Sequence, residues 1–190
     1  MAIIAAIEAG GTKFICGLGK ENGEVIERIS IPTTTPDETM RKVIEYFSDK
    51  EFDVMGVGSF GPIDPVKGSE TYGYMTKTPK PYWSDFNMIG ELKKHFDVPM
   101  EFDTDVNGAA LAEAWWGAGE GLKNVMYITV GTGIGAGAVV NGRMVQGLTH
   151  PEMGHIFIKR HKDDKFEGRC PFHKDCLEGM AAGPAIEARW

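Results

Sequence analysis

Short apolar runs punctuated by glycine organise this chain. Ala2–Ile7 is a run of Ala and Ile that stops at Glu8, which predicts a buried strand closed by a turn over Glu8-Ala9-Gly10-Gly11-Thr12-Lys13. Phe14–Gly19 and Val25–Ile31 predict two more strands. Asn22-Gly23 between them is a hairpin signal, because both central positions of a type I′ turn want positive φ. Thr35-Pro36-Asp37-Glu38 predicts a helix start, with Thr as N-cap, Pro at the first position and Glu completing a capping box. Met40, Val43, Ile44 and Phe47 supply that helix's apolar stripe. Phe52–Val57 predicts another strand, closed by Gly58-Ser59-Phe60-Gly61-Pro62. From Ile63 to Asn87 the chain carries Pro65, Pro79 and Pro81 among several aromatics and reads as a long ordered loop, a feature that is usually functional. A short helix over Ile89–Phe96, a strand over Pro99–Phe102 and a helix over Asn107–Trp116 follow.

Gly117, Gly119 and Gly121 then break the pattern, and the opening is replayed. Asn124–Val130 predicts a strand, Gly131-Thr132-Gly133-Ile134-Gly135 a turn and Ala136–Val140 a strand. Asn141-Gly142 is a second hairpin signal, and Arg143–Gln146 a third short strand. Two β-β-β openings predict a duplicated α/β architecture with a cleft between the halves, one over residues 1–118 and one over 119–190.

Composition narrows the functions open to such a chain. Its 190 residues carry 20 Lys and Arg against 27 Asp and Glu, a formal charge of -7. With no basic run, a nucleic-acid or anionic-membrane surface is not expected. Three cysteines exclude a fully paired disulfide framework, and Ala2–Ile7 is too short for a signal peptide or a membrane span. A cytoplasmic location is the expectation. The 25 glycines make up about 13% of the chain against a usual ~7%, and the most informative of them, Gly10, Gly11, Gly131, Gly133 and Gly135, fall in the two Gly/Thr turns. Backbone N–H groups surround a phosphate only where no Cβ obstructs the approach. Gly10, Gly11, Thr12 and Lys13, with Gly131, Thr132, Gly133 and Gly135, therefore predict two phosphate-binding turns. Neither is a Walker A loop, and neither follows a strand and opens a helix as a dinucleotide fingerprint does.

Four segments in order, Glu8-Ala9-Gly10-Gly11-Thr12-Lys13, Gly58-Ser59-Phe60-Gly61-Pro62, Asp103-Thr104-Asp105-Val106-Asn107-Gly108-Ala109-Ala110 and Gly131-Thr132-Gly133-Ile134-Gly135, together resemble bacterial sugar kinases of the ROK family (repressors, open reading frames and kinases). The opening segment and His150-Pro151-Glu152-Met153-Gly154-His155 are most similar to its fructokinase branch. The resemblance runs from Ala2 to Trp190. It implies an actin-like fold, ribonuclease H-like in each of two α/β halves, with ATP and a hexose meeting in the cleft.

By spacing alone Asp105 reads as the N-cap or neighbour of the following helix. The resemblance makes it the general base that accepts the proton of the sugar hydroxyl, with Asp103 as nearby competitor. Thr104 stands where relatives often have Asn. Gly61, Thr104, Asp105, Glu152, His155 and Glu178 are the implied sugar-binding set, and Mg²⁺ is expected to arrive with ATP.

Cys170-Pro171-Phe172-His173-Lys174-Asp175-Cys176 offers two thiolates and an imidazole, so one more ligand would complete a tetrahedral structural zinc. His150, His155 and His161 are candidates, and the family pattern selects His155. The alternative is two reduced cysteines beside an unrelated histidine. Cys16 falls in a strand and reads as a core residue.

Three functions are carried forward. The first is phosphorylation of a hexose by ATP, with fructose at its 6-hydroxyl preferred over mannose or glucose, by a homodimer. The second is a repressor, disfavoured because no basic recognition helix precedes Ala2. The third is an incompetent fragment or zinc-stabilised binding module. The matched kinases continue beyond Ala185–Trp190, which reads as an opening helix, so the second half is expected to be truncated and to need a complementary C-terminal segment.

Overall fold

The computed structural model describes residues 1–148 and 150–190. Five strands form the larger sheet: β1 (Ile3–Ala9), β2 (Lys13–Lys20), β3 (Val25–Pro32), β4 (Val54–Ser59) and β7 (Met100–Thr104), in the order β3-β2-β1-β4-β7. β1, β2 and β3 pair antiparallel, whereas β4 lies parallel to both β1 and β7. The switch follows from the connections. Tight turns join the first three strands, and a helix-bearing crossover leads into each of the next two. The first crossover carries α1 (Pro36–Phe47) and the second α2 (Met88–Lys93).

Alternation in β1 buries Ala5, Ile7 and Ala9 on the face that receives Met40, Val43 and Phe47 of α1. Cys16 is fully buried beside them, and burial pushes its thiol up to about 12. It is an inert core residue, as its strand position predicts. The N-terminus of α1 departs from a full capping box. Thr35 accepts from the Glu38 N–H, but Glu38 Oε2 takes the Thr34 hydroxyl at 2.8 Å instead of reaching back to Thr35. The cap is one-way because Thr34 offers the carboxylate a nearer donor.

The predicted long loop holds a short antiparallel pair, β5 (Tyr74–Met75) with β6 (Phe86–Asn87), and one large anchor. Trp83 is fully buried, with ring centroids 5.4, 6.1 and 5.3 Å from Phe14, Phe60 and Phe86, and its indole N–H donates to the Thr34 carbonyl at 2.8 Å. Emptying such a site costs on the order of 3–5 kcal/mol. The loop is thus part of the core.

β8 (Asn124–Val130), β9 (Ile134–Val140) and β10 (Arg143–Met144) form an antiparallel sheet that repeats β1–β3. Both Asn-Gly hairpins form, with different turns. Asn141 and Gly142 both have positive φ, as a type I′ turn requires. At the first hairpin only Gly23 does, and its N–H donates to the Lys20 carbonyl at 3.0 Å. Asn22 stays at negative φ and accepts from the Glu24 N–H at 3.1 Å, so the expected type I′ turn is replaced by a longer one closed by glycine.

α3 (Asp105–Trp116) links the sheets, packing on β4, β8 and β9. Small residues allow the approach: Gly137 has no room for a Cβ against the Val106 carbonyl. Beyond β10 come a single 3-10 turn at Met153–His155, α4 (Leu177–Ala181) and α5 (Gly183–Arg189). Among the described residues no helix is long and apolar enough to cross a membrane.

Candidate active site

The two glycine turns occupy equivalent hairpin positions. In the first, the Gly10 N–H donates to the Lys13 carbonyl at 3.0 Å, and the Thr33 hydroxyl donates to the Gly10 carbonyl at 2.7 Å. A Cβ on Gly10 would lie 2.6 Å from the Lys13 oxygen, while one on Gly11 would meet open space. Gly10 thus shapes the turn, and Gly11 leaves its backbone approachable beside the exposed Thr12 and Lys13. In the second turn the Gly131 N–H donates to the Gly133 carbonyl at 2.9 Å, and Gly131 again faces open space beside exposed Thr132. Later elements brace this turn. The Ile134 N–H donates to Glu178 Oε2 at 2.9 Å, and the Gly183 N–H donates to the Gly131 carbonyl at 2.7 Å. Glu178, predicted to bind sugar, therefore has one carboxylate oxygen on the second glycine turn.

The two aspartates of the third motif have different surroundings. Asp103 is buried and held by three donors: Oδ1 accepts from the Thr104 N–H at 2.7 Å and Asn107 Nδ2 at 2.8 Å, and Oδ2 from Gln146 Nε2 at 3.0 Å. Thr104 is the N-cap of α3, its hydroxyl accepting from the Asn107 N–H at 3.2 Å, and it is buried. Asp105 is therefore not the cap but the first helical residue, with Oδ1 on the Val106 N–H at 2.9 Å. Burial raises its carboxyl above the usual range, the Val106 amide opposes this, and the charges of Glu8 and then Glu152 raise it further. Gly58 in β4 lets it sit close, since a Cβ there would lie 3.3 Å from Asp105 Cα. The surroundings of the Asp105 carboxylate favour taking up a proton, whereas both Asp103 oxygens are already engaged by neighbouring donors.

Gly61, His150 and Glu152 meet on one side of this centre. A Cβ on Gly61 would lie 2.9 Å from His150 Nε2 and 3.5 Å from Glu152 Oε1. Glu152 Oε1 is 2.9 Å from His150 Nε2, and that bond is the main reason its carboxyl sits below the usual range despite burial. Burial pushes the His150 imidazole down, but Glu152 outweighs it and the net shift is upward. The Glu152 carbonyl accepts the His155 N–H at 3.0 Å and fixes where the next histidine begins.

His155, Cys170, His173 and Cys176 come together, with one ligand atom from each within 4.8 Å of the others. His155 Nδ1 lies 3.7 Å from Cys170 Sγ and 3.5 Å from Cys176 Sγ, and His173 Nδ1 lies 3.9 Å from Cys170 Sγ. A tetrahedral zinc with Zn–S of about 2.3 Å and Zn–N of about 2.0 Å has S···N edges of about 3.5 Å, so the donor set fits that ion. The other candidates lie elsewhere. His150 faces Glu152 and Ile63, and His161 Nδ1 accepts from the Asp163 N–H at 3.3 Å.

The ROK family pattern matches residues 4–190. This chain belongs to the ROK family. A Bacillus subtilis (strain 168) relative is 55% identical over 188 residues, 99% of this chain and 63% of its own length. A fructokinase of Pediococcus pentosaceus is 50% identical, covering 98% of this chain and 65% of its own, and one of Lactococcus lactis subsp. cremoris is 51% identical, covering 97% and 63%. Among solved structures, a ROK hexokinase from Thermus thermophilus superposes with a TM-score of 0.80 at 27% identity, over 98% of this chain and 62% of that one. The chain thus spans just under two thirds of the length of these relatives, and its α/β architecture is the actin-like one of ROK kinases.

Three side chains that bear on the two aspartates escaped the sequence reading. Glu8 bears on Asp105 from the end of β1, and its position before the first glycine turn was the available signal. Asn107 and Gln146 hold Asp103 through side-chain bonds, the second across 43 residues, for which no local pattern exists.

Proposed function

We propose that this ROK chain carries the hexose site and both phosphate turns of a fructokinase, which transfers the γ-phosphoryl group of ATP to the 6-hydroxyl of D-fructose. The observation that carries the reading is the half-buried Asp105 at the start of α3, its proton affinity raised by burial and by Glu8 and Glu152. As the sugar oxygen attacks phosphorus, its proton passes to the Asp105 oxygen not engaged by Val106. A P–O bond forms at the sugar, and the bond to the bridging oxygen of ADP breaks. Gly10–Lys13 and Gly131–Gly135 cradle the nucleotide phosphates. Gly61, Glu152, His155 and Glu178 orient the sugar, with Thr104 holding the helix start behind the base. The relatives named as fructokinases, at 50 and 51% identity, favour fructose over glucose, since a relative named as a glucokinase stands at 30%.

Two metals belong to this reading. Mg²⁺ arriving with ATP would offset phosphate charge during transfer. The ligands His155, Cys170, His173 and Cys176 would hold a structural Zn²⁺, whose full shell leaves no open position. With Nδ1 of His155 facing the thiols, Nε2 is left for the sugar side.

We read residues 1–118 and 119–190 as the two halves, and a complementary segment as the cover of the second. On β8, Met126, Ile128 and Val130 alternate on one face and are 60, 55 and 57% exposed. β1, the equivalent strand, has β4 on the corresponding edge. The additional third of the relatives' length is the proposed source of that cover, and the assembled protein is expected to be a homodimer. The test is ADP release with fructose, mannose and glucose, by the 190-residue chain alone and after co-expression with the C-terminal third of the Bacillus subtilis relative. Turnover is expected only with the added segment, highest with fructose, and abolished in Asp105→Ala. Unchanged turnover in that variant overturns the base assignment, and full turnover by the chain alone overturns the need for a complement.

A further inference from the structure

The segment His150-Pro151-Glu152-Met153-Gly154-His155 contributes Glu152 and His155 to the reading above and leaves His150 without a task. His150 is nonetheless the better buried of the ion pair, its side chain 5% exposed against 53% for Glu152. It touches both halves. Nδ1 lies 3.2 Å from the Ile63 carbonyl, in the loop after β4, and Nε2 lies 2.9 Å from Glu152 Oε1. A Cβ at Gly61 would press on the ring, so the backbone of residues 61–63 closes the ring in on one side.

The two contacts fix where the protons are. A carbonyl oxygen only accepts, so Nδ1 must carry a hydrogen. A carboxylate also only accepts, so one further proton lies between Nε2 and Glu152 Oε1. Both ring nitrogens are committed, and the imidazole cannot rotate without losing two bonds. Among the described residues no other donor reaches the Glu152 side chain, and Oε2 is left open.

We propose that His150 is a positioning residue for hexose recognition, clamping Glu152 onto the Gly61–Ile63 segment so that Oε2 is presented to a sugar hydroxyl. The inference rests on the hexose-site reading of Glu152 and goes beyond it by assigning its orientation to a second side chain and to the opposite half. An ionised carboxylate held by one fixed donor keeps its remaining lone pairs directed, whereas a free glutamate would lose rotamer entropy on each binding event. The clamp also makes sugar binding depend on the relative placement of residues 61–63 and 150–152, which belong to different halves.

Two near-isosteres separate the bonds. The amide nitrogen of Asn falls close to Nδ1, so His150→Asn keeps the Ile63 bond and releases Glu152. The amide nitrogen of Gln falls close to Nε2, so His150→Gln keeps the Glu152 bond and releases Ile63. Calorimetric titration of the 190-residue chain with fructose should show His150→Asn weakened about tenfold or more, as expected for loss of a hydrogen bond to a charged group. His150→Gln, which keeps a donor on Glu152 but frees it from Ile63, should be weakened less than His150→Asn, by about threefold. Adenosine nucleotide affinity should be the same in all three. Equal fructose affinity in all three proteins, or equal loss of fructose and nucleotide binding, overturns the positioning role. If the unaltered chain binds no hexose, the hexose reading fails for this chain, and nitrogen-detected NMR of the imidazole judges the clamp separately. Hydrogens on both ring nitrogens support it, and a single N–H tautomer with a free Nε2 overturns it.

Discussion

The two glycine turns look alike in sequence and sit on equivalent hairpins, yet they are held in different ways. The first belongs to a strand with neighbours on both edges, and its shape comes from within the sheet: Gly10 folds against Lys13, and Thr33 of the strand end ties its carbonyl. The second belongs to β8, which has β9 on one edge and no strand on the other among the described residues. Its bracing is borrowed from Glu178 and Gly183, about 50 residues downstream and next to the Cys/His cluster. A duplicated motif therefore need not carry duplicated mechanics. The first turn should be as stable as its sheet, and the second only as ordered as the segment from Gly154 to Gly183.

The largest expected effect lies between the turns. Asp105→Asn should lower turnover of the complemented enzyme by about 10²–10⁴-fold, the usual contribution of a general base. The same change should raise the thermal midpoint at neutral pH. A carboxyl whose pKa is raised on folding binds its proton more tightly in the native state, so stability falls as pH rises through its unfolded value and up to its folded one. An uncharged amide avoids that loss, and a lowered midpoint would contradict the burial argument. In the unaltered enzyme, the acid limb of the rate profile should fall above the ordinary aspartate value of about 3.9, because Asp105 must be ionised to accept the proton.

Next in size, removing the proposed zinc or making Cys176→Ser should loosen the second turn alone. Cys176 caps α4, and Glu178 lies in its first turn. Amide exchange at Gly131–Gly135 should quicken by at least about tenfold, the equivalent of ~1.4 kcal/mol, with Gly10–Lys13 unchanged. Equal acceleration at both turns would erase the contrast. The reverse experiment is Gly10→Ala, whose Cβ would meet the Lys13 carbonyl oxygen at 2.6 Å. A loss of about 1–3 kcal/mol in denaturant stability is expected, with metal content unaltered. The smallest effect is Thr33→Val, about 1 kcal/mol for one hydrogen bond, felt at the first turn and absent from the second.

Local signals made most of the scaffold legible. β8 has the bounds its apolar run predicts, and β1–β3 agree to within two residues, because strand runs and glycine turns are short-range features. Spacing groups Cys170, His173 and Cys176, and the fourth member of the cluster comes only with the family resemblance, since His155 lies 15 residues from Cys170. Escaping notice were α4, too short at five residues to show a period, and the pair β5–β6 inside a loop rich in proline and aromatics. The turn at Asn22 was misread because a bulge between Leu18 and Gly19 changes the register before the hairpin closes. Glu178 reaches Ile134 across 44 residues and His150 reaches Ile63 across 87. Contacts of that span are set by how the sheets stack, and no window along the chain contains both partners.

The indole of Trp116 closes the far end of α3 against the first hairpin, where a Cβ at Gly23 would lie 2.8 Å from the ring. The helix that carries this ring at its end begins at the proposed base Asp105 and has 12 residues, a rod of about 18 Å at 1.5 Å per residue. Pivoting such a rod about its aromatic foot by only ~3° carries Asp105 through about 1 Å, a displacement that costs a positioned catalytic group roughly 10²-fold in rate. Angular tolerance at a surface hairpin thereby becomes distance tolerance at the proposed base.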